Sequence, residues 1–171
     1  GFLEIKRIQK DTKKNFVFFQ KKKIKKKLIW FHGASVGEIS SIIPLVFKLE
    51  KNREVDQILI TSSTLSSSNI LKQFKFKKTI HQFFPIDTNH LSNKFLNYWK
   101  PSLAIFIDSE IWPNMVFNLK KKSIPILLLN ARITNRSFQR WKMLGSFSNY
   151  IFQCIDKTLV SNIETIKYLK Y

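Results

Sequence analysis

Short runs of branched and aromatic residues alternate along this chain with apolar residues spaced at three- and four-residue steps. No other feature constrains the fold as strongly. The runs at Leu28–His32, 57–61, 80–85, 103–108, 125–130 and Lys157–Val160 have the length and composition of strands. Between them, Ile39, Ile42, Ile43, Val46 and Leu49 make the stripe of an amphipathic helix. Leu91, Phe95, Leu96 and Trp99 make another, stopped before Pro101. Segments 112–122, 138–152 and 163–169 read as further helices. Strand and helix in regular alternation imply βαβ units. Their right-handed crossovers predict an α/β domain, a Rossmann-like parallel sheet with helices on both faces. In such sheets functional residues gather just beyond the carboxyl ends of strands, which singles out 32–38, 108–113 and 130–137.

Charge divides the chain differently. Thirty Lys and Arg against eleven Asp and Glu give a net charge of +19. That excess suits an anionic partner, whether nucleic acid, an acidic membrane or a phosphorylated ligand. A base composition leaning toward A and T accounts for many lysines equally well. Residues 1–27 form a basic arm, with the apolar cluster Phe16-Val17-Phe18-Phe19 followed by Lys21-Lys22-Lys23-Ile24-Lys25-Lys26-Lys27. The arm reads either as a solvated tail or as a juxtamembrane segment drawn to anionic lipid. Residues 28–171 form the folded domain. The apolar runs are far shorter than the ~20 residues a membrane-spanning helix needs, and no signal-peptide pattern is present. The single cysteine, Cys154, has no partner in the chain and reads as a buried structural thiol, consistent with a reducing compartment.

The first motif is His32-Gly33-Ala34-Ser35-Val36-Gly37-Glu38. Two glycines at a strand-to-helix turn let backbone amides approach an anion, although neither the P-loop nor the dinucleotide spacing is matched. Ser35 and Glu38 have the spacing of a capping box, which needs no chemistry to explain it. His32, ending a buried strand, reads as a hydrogen-bonded structural histidine. The second motif is Asp108-Ser109-Glu110-Ile111-Trp112-Pro113, with two carboxylates after a strand and Pro113 suited to a first helical turn. Those carboxylates are either acid–base groups or caps on the following helix. The third is Asn130-Ala131-Arg132-Ile133-Thr134-Asn135-Arg136-Ser137. Its arginines suit a phosphate or carboxylate, or are simply surface arginines beside a Thr cap.

Taken in order, Trp30-Phe31-His32-Gly33-Ala34-Ser35-Val36-Gly37-Glu38, Asp108-Ser109-Glu110-Ile111-Trp112-Pro113-Asn114 and the third motif resemble the 3-deoxy-D-manno-octulosonic acid (Kdo) transferases. The similarity covers roughly residue 28 to the end. It implies the N-terminal half of a two-domain GT-B glycosyltransferase. Such an enzyme moves Kdo from CMP-Kdo to a lipid A precursor at the cytoplasmic face of the bacterial inner membrane, in lipopolysaccharide biosynthesis. This half would bind the lipid acceptor, while CMP-Kdo would sit mainly in a C-terminal domain. The chain alone is then expected to lack transfer activity. Neither a cofactor nor a metal is implied beyond the donor sugar nucleotide.

Carried onto this sequence, the resemblance makes Glu38 the general base and Glu110 a supporting carboxylate. Ser35, Gly37, Arg132 and Arg136 become substrate-binding residues. The chain departs from the family pattern in three places. Asp108 stands where Glu is usual, and Thr134 where Ser is usual. The stretch Thr61-Ser62-Ser63-Thr64-Leu65-Ser66-Ser67 lacks the usual Pro and Gly. Two other classes compete: a basic Rossmann-like nucleic-acid-binding domain and a non-catalytic scaffold on a membrane surface. The first would need aromatics free to stack on bases, but Phe31, Phe84 and Phe106 fall on core-like positions, so no nucleic-acid partner is expected.

Overall fold

The computed structural model describes residues 27–170. The basic arm, apart from Lys27, lies outside the described residues. Six strands form one sheet: β1 (Leu28–His32), β2 (Gln57–Ser62), β3 (Thr79–Phe83), β4 (Leu103–Ile107), β5 (Ile126–Ala131) and β6 (Lys157–Val160). The order is β3-β2-β1-β4-β5-β6 and every neighbouring pair is parallel. This is the doubly wound Rossmann-like arrangement expected from the alternation. The helices are α1 (Val36–Lys51), α2 (Leu65–Lys72), α3 (Asn89–Trp99), α4 (Pro113–Lys121), α5 (Asn135–Met143), α6 (Ser146–Gln153) and α7 (Ile163–Leu169).

Strand alternation divides the core between two faces. On one face Leu28, Trp30, Leu59, Ala104, Phe106 and Leu128 meet Phe95, Leu96 and Trp99 of α3, Met115, Val116 and Leu119 of α4, and Ile151 of α6. On the other, Ile29, Phe31, Ile58, Ile60, Ile105 and Ile107 meet Ile39, Ile42, Ile43 and Val46 of α1 and Leu71 of α2. Each fully buried Ile or Phe here contributes roughly 1.5–3 kcal/mol over its exposed state. Cys154 is buried on the first face. Burial pushes its thiol pKa up, with Lys120 opposing and Asp156 reinforcing the shift. It is a packing residue there, as expected.

Two expectations about helices need correcting. Segment 138–152 is two helices, α5 and α6, broken at Gly145, whose φ of 53° lies in the left-handed region. The serine-rich stretch after β2, where the sequence suggested no helix, contains α2. Thr64 caps it by accepting from the Ser67 amide at 3.2 Å, so the helix starts without the Pro or Gly of the family pattern.

Candidate active site

Because β1 lies beside β4 and β4 beside β5, the three motifs emerge from neighbouring interior strands at the carboxyl end of the sheet. The β1/β4 border is also where the chain's winding reverses, the position at which open α/β sheets bind ligands. The sequence alone could not show this adjacency, since the motifs are separated by whole βα units.

Glu38 lies in the first turn of α1, capped by Ser35. The Glu38 amide donates to Ser35 Oγ at 3.3 Å. The Ser35 hydroxyl donates to Glu38 Oε1 at 2.7 Å, and the Ala34 amide donates to Oε2 at 2.8 Å. The expected capping box is therefore displaced by one residue, since Glu38 reaches back to Ala34 rather than to Ser35. Gly33 is a packing requirement: a Cβ there would lie 3.1 Å from the Glu38 Cβ and 3.2 Å from methyl carbons of Ile39 and Ile107. Gly37 is exposed on the same turn, with nothing closer than Ser35 Oγ at 4.0 Å from where a Cβ would be. The space above the first turn of α1 is thus open at Gly37.

His32 continues the Leu28–Trp30 side of β1 and is fully buried. Its ring stacks on Phe84, with centroids 3.9 Å apart. Nδ1 faces Thr61 Oγ1 at 3.0 Å, and the Trp112 indole N–H donates to Nε2 at 3.0 Å. The same indole N–H donates to Glu110 Oε2 at 3.0 Å. Glu110 Oε2 lies 3.5 Å from His32 Nε2, with its side chain 21% exposed. The structural reading of His32 holds, and the residue also borders a carboxylate that sequence reasoning singled out separately.

The capping reading of the second motif fails. The residue before α4 is Trp112, which makes no side-chain cap. The cap is Asp87, from the β3–α3 connection, accepting from the Asn114 amide at 3.0 Å and the Met115 amide at 2.9 Å. Asp87 was missed because its Asp-Thr-Asn setting reads as an ordinary turn. Its consequence is that Glu110 need not serve α4 and remains at the carboxyl end of the sheet. Asp108 accepts from the Asn130 side-chain amide at 2.6 Å, and the Ser109 hydroxyl donates to the Arg132 carbonyl. The second and third motifs are thereby tied together.

Arg132 and Arg136 are both exposed. Thr134 and Ser137 form a capping box that starts α5, and the Ile133 amide donates to Thr165 Oγ1 of α7 at 3.0 Å. These bonds fix the backbone between the two arginines and leave their side chains at the surface.

Residues 10–170 match the model of the 3-deoxy-D-manno-octulosonic-acid transferase (kdotransferase) family. The chain belongs to that family. A 3-deoxy-D-manno-octulosonic acid transferase from Rickettsia typhi is 41% identical over 135 residues, covering 79% of this chain and 29% of that protein. The Haemophilus influenzae transferase is 33% identical over 113 residues, covering 66% and 26%. The chain therefore spans less than a third of the length of these relatives. Among solved structures, a putative UDP-N-acetylglucosamine 2-epimerase from Listeria monocytogenes superposes with a TM-score of 0.58 at 14% identity, over 85% of this chain and 41% of that one. The corresponding epimerase from Rickettsia bellii gives 0.55 at 14% identity, with the same coverage. These structures share the fold, and the family match accords with the half-GT-B architecture expected from the motifs.

Proposed function

We propose that this chain is the acceptor-binding half of a glycosyltransferase that moves Kdo from CMP-Kdo to a lipid A precursor, with Glu38 as general base. The observation that carries this reading is the Glu38 carboxylate, held by Ala34 and Ser35 at the carboxyl end of β1. In the reaction an acceptor hydroxyl oxygen bonds to the anomeric carbon of Kdo as the bond from that carbon to CMP breaks. Glu38 takes the hydroxyl proton and CMP leaves with the bonding electrons. A single displacement of this kind inverts the anomeric centre. Glu110 supports the cleft, and Arg132 and Arg136 offer forked donors to acceptor phosphates. Ser35 and Gly37 border the open space above α1. A C-terminal domain outside this chain supplies most of the CMP-Kdo site, so the chain alone is inactive.

The work is done at the cytoplasmic face of the inner membrane, on an anionic surface. No helix among the described residues is long and apolar enough to cross a bilayer. The α5–α6 corner exposes Met143, Leu144, Phe147 and Tyr150 beside Arg136, Arg140 and Lys142. That combination suits an anionic lipid interface. A nucleic-acid role is disfavoured because Trp30, Phe31, Phe95 and Phe106 are consumed by the core.

The test is Glu38→Gln in the full-length enzyme. Turnover is expected to fall roughly 10²–10⁴-fold, the range for losing a positioned base. Melting temperature should hardly move, because Gln also fits a capping box. Near-normal turnover in the folded variant would leave Glu38 as a helix cap only.

A further inference from the structure

His32 opens the first motif and is fully shielded from solvent, yet it meets Glu110 through Trp112. Its protonation pattern follows from its neighbours. Nδ1 faces the Thr61 carbonyl at 3.3 Å and Thr61 Oγ1 at 3.0 Å. A carbonyl only accepts. Thr61 Oγ1 already accepts from Trp30 Nε1 at 2.9 Å, and its own hydroxyl donates to the Phe31 carbonyl at 3.3 Å. Nδ1 therefore carries the ring proton, and Nε2 of the neutral ring offers its lone pair to the Trp112 N–H. That single N–H is shared with Glu110 Oε2. The other Glu110 oxygen, Oε1, takes no hydrogen bond from the described residues, which leaves it an acceptor at the partly open end of the site.

We propose that His32 is a positioning residue for the transfer reaction: through the Trp112 indole it fixes Glu110 so that Oε1 points to a substrate hydroxyl. This rests on the transferase reading above. The chain of support runs from the core outward. Trp30 holds Thr61, Thr61 orients His32, His32 orients the indole, and the indole holds one oxygen of Glu110. Phe84 and Phe106 clamp the imidazole from its face and edge, with centroids at 3.9 and 5.8 Å. A rotation of His32 is thereby resisted by packing as well as by hydrogen bonds, the condition for holding a reacting group in place.

The experiment uses the full-length enzyme with CMP-Kdo and a lipid A precursor, and compares Trp112→Phe, Glu110→Gln, their combination, and His32→Leu against His32→Gln. Trp112→Phe should lower kcat roughly 10²-fold, the scale of a misplaced group, with KM for CMP-Kdo within about twofold of wild type. The Trp112→Phe/Glu110→Gln pair should be no slower than the slower single variant, because both break one linkage. His32→Gln, which keeps an acceptor for the indole, should recover part of the activity lost in His32→Leu. The indole N–H resonance of Trp112, followed by ¹⁵N NMR, should move on Glu110→Gln, which a merely structural Trp112 would not show. Should His32→Leu fail to fold, Trp112→Phe and the resonance still decide. The proposal is overturned by near-normal kcat in folded Trp112→Phe, by multiplicative losses in the pair, or by an indole resonance indifferent to Glu110→Gln. If the wild-type enzyme transfers no Kdo, the activity reading fails, and the resonance alone tests the linkage.

Discussion

The side-chain amide of Asn130 donates to Asp108 Oδ1 across 2.6 Å, and both residues have φ of 57°. Two adjacent strands thus end in left-handed backbone, and the two residues brace each other. At Asn130 the cause is a bulge. Leu128 pairs with Thr158 but Ala131 with Val160, so β5 carries one residue more than β6 over this interval. Asn and Asp tolerate this conformation better than other side chains with a Cβ, which suits the shortened Asp108 where the family usually has Glu.

Asn130→Ala should therefore cost about 1–2 kcal/mol, the scale of forcing an ordinary residue into left-handed backbone. Asn130→Gly should cost less, because only the hydrogen bond to Asp108 is lost. Denaturant unfolding of the two variants checks the order. Equal losses would show that the side-chain bond, not the backbone, dominates.

Asp87→Ala strips two amides at the start of α4 of their acceptor. A loss of roughly 1–2 kcal/mol in stability is expected. Turnover should also fall in the full-length enzyme, since Trp112 and Glu110 lead into that helix. Asp87→Asn, which retains a carbonyl acceptor, should recover part of both. A variant that melts normally would show that water replaces the cap.

His81 gives a pH signature. Burial, reinforced by Lys72, lowers its pKa from 6.5 to about 4, and Ser62 Oγ lies 2.8 Å from its Nε2. The unfolded chain takes up the proton first, so the contribution is full above pH 6.5 and is lost as pH falls toward about 4. Its upper limit is on the order of 3 kcal/mol. Between pH 7 and 4.5, wild type should lose more melting temperature than His81→Gln. Parallel curves would assign acid sensitivity to other groups, such as Glu50. There burial raises the carboxyl pKa, but the Thr79 hydroxyl and the 77–79 amides outweigh it and lower it overall.

Membrane recruitment should be electrostatic in its basic part. Binding of the full-length enzyme to anionic vesicles is expected to fall with added salt. Replacing the lysines within 21–27 by Gln should weaken it, at about 1 kcal/mol per Lys near the surface. Replacing Met143 and Leu144 by Ser should weaken binding at high salt as well. Indifference to lipid charge would return the net +19 to base composition.

Much of the fold was legible because strand and helix periods separate cleanly where apolar residues are plentiful. Where they are scarce, the reading failed. Helix α2 buries Ser67 and Ser68 with only Leu71 as an apolar anchor, so it has no stripe to see. The break at Gly145 was masked by continuous helical spacing on both sides. Of the site, the residue types were readable, but the partners were not. Asp87 serves Asn114 and Met115, and His32 faces Glu110, across separations that only the strand order brings together.

The hydroxyl of Ser35 has a property that a backbone amide in its place would lack. It now gives its hydrogen to Glu38 Oε1, but it can turn about its bond and receive one instead. In the proposed reaction, once Glu38 has taken a proton from an acceptor, the same two oxygens stay in contact with the direction of giving reversed. The proposed base could thus change charge in each cycle without leaving its neighbour stranded, and the resting arrangement would return when the proton departs.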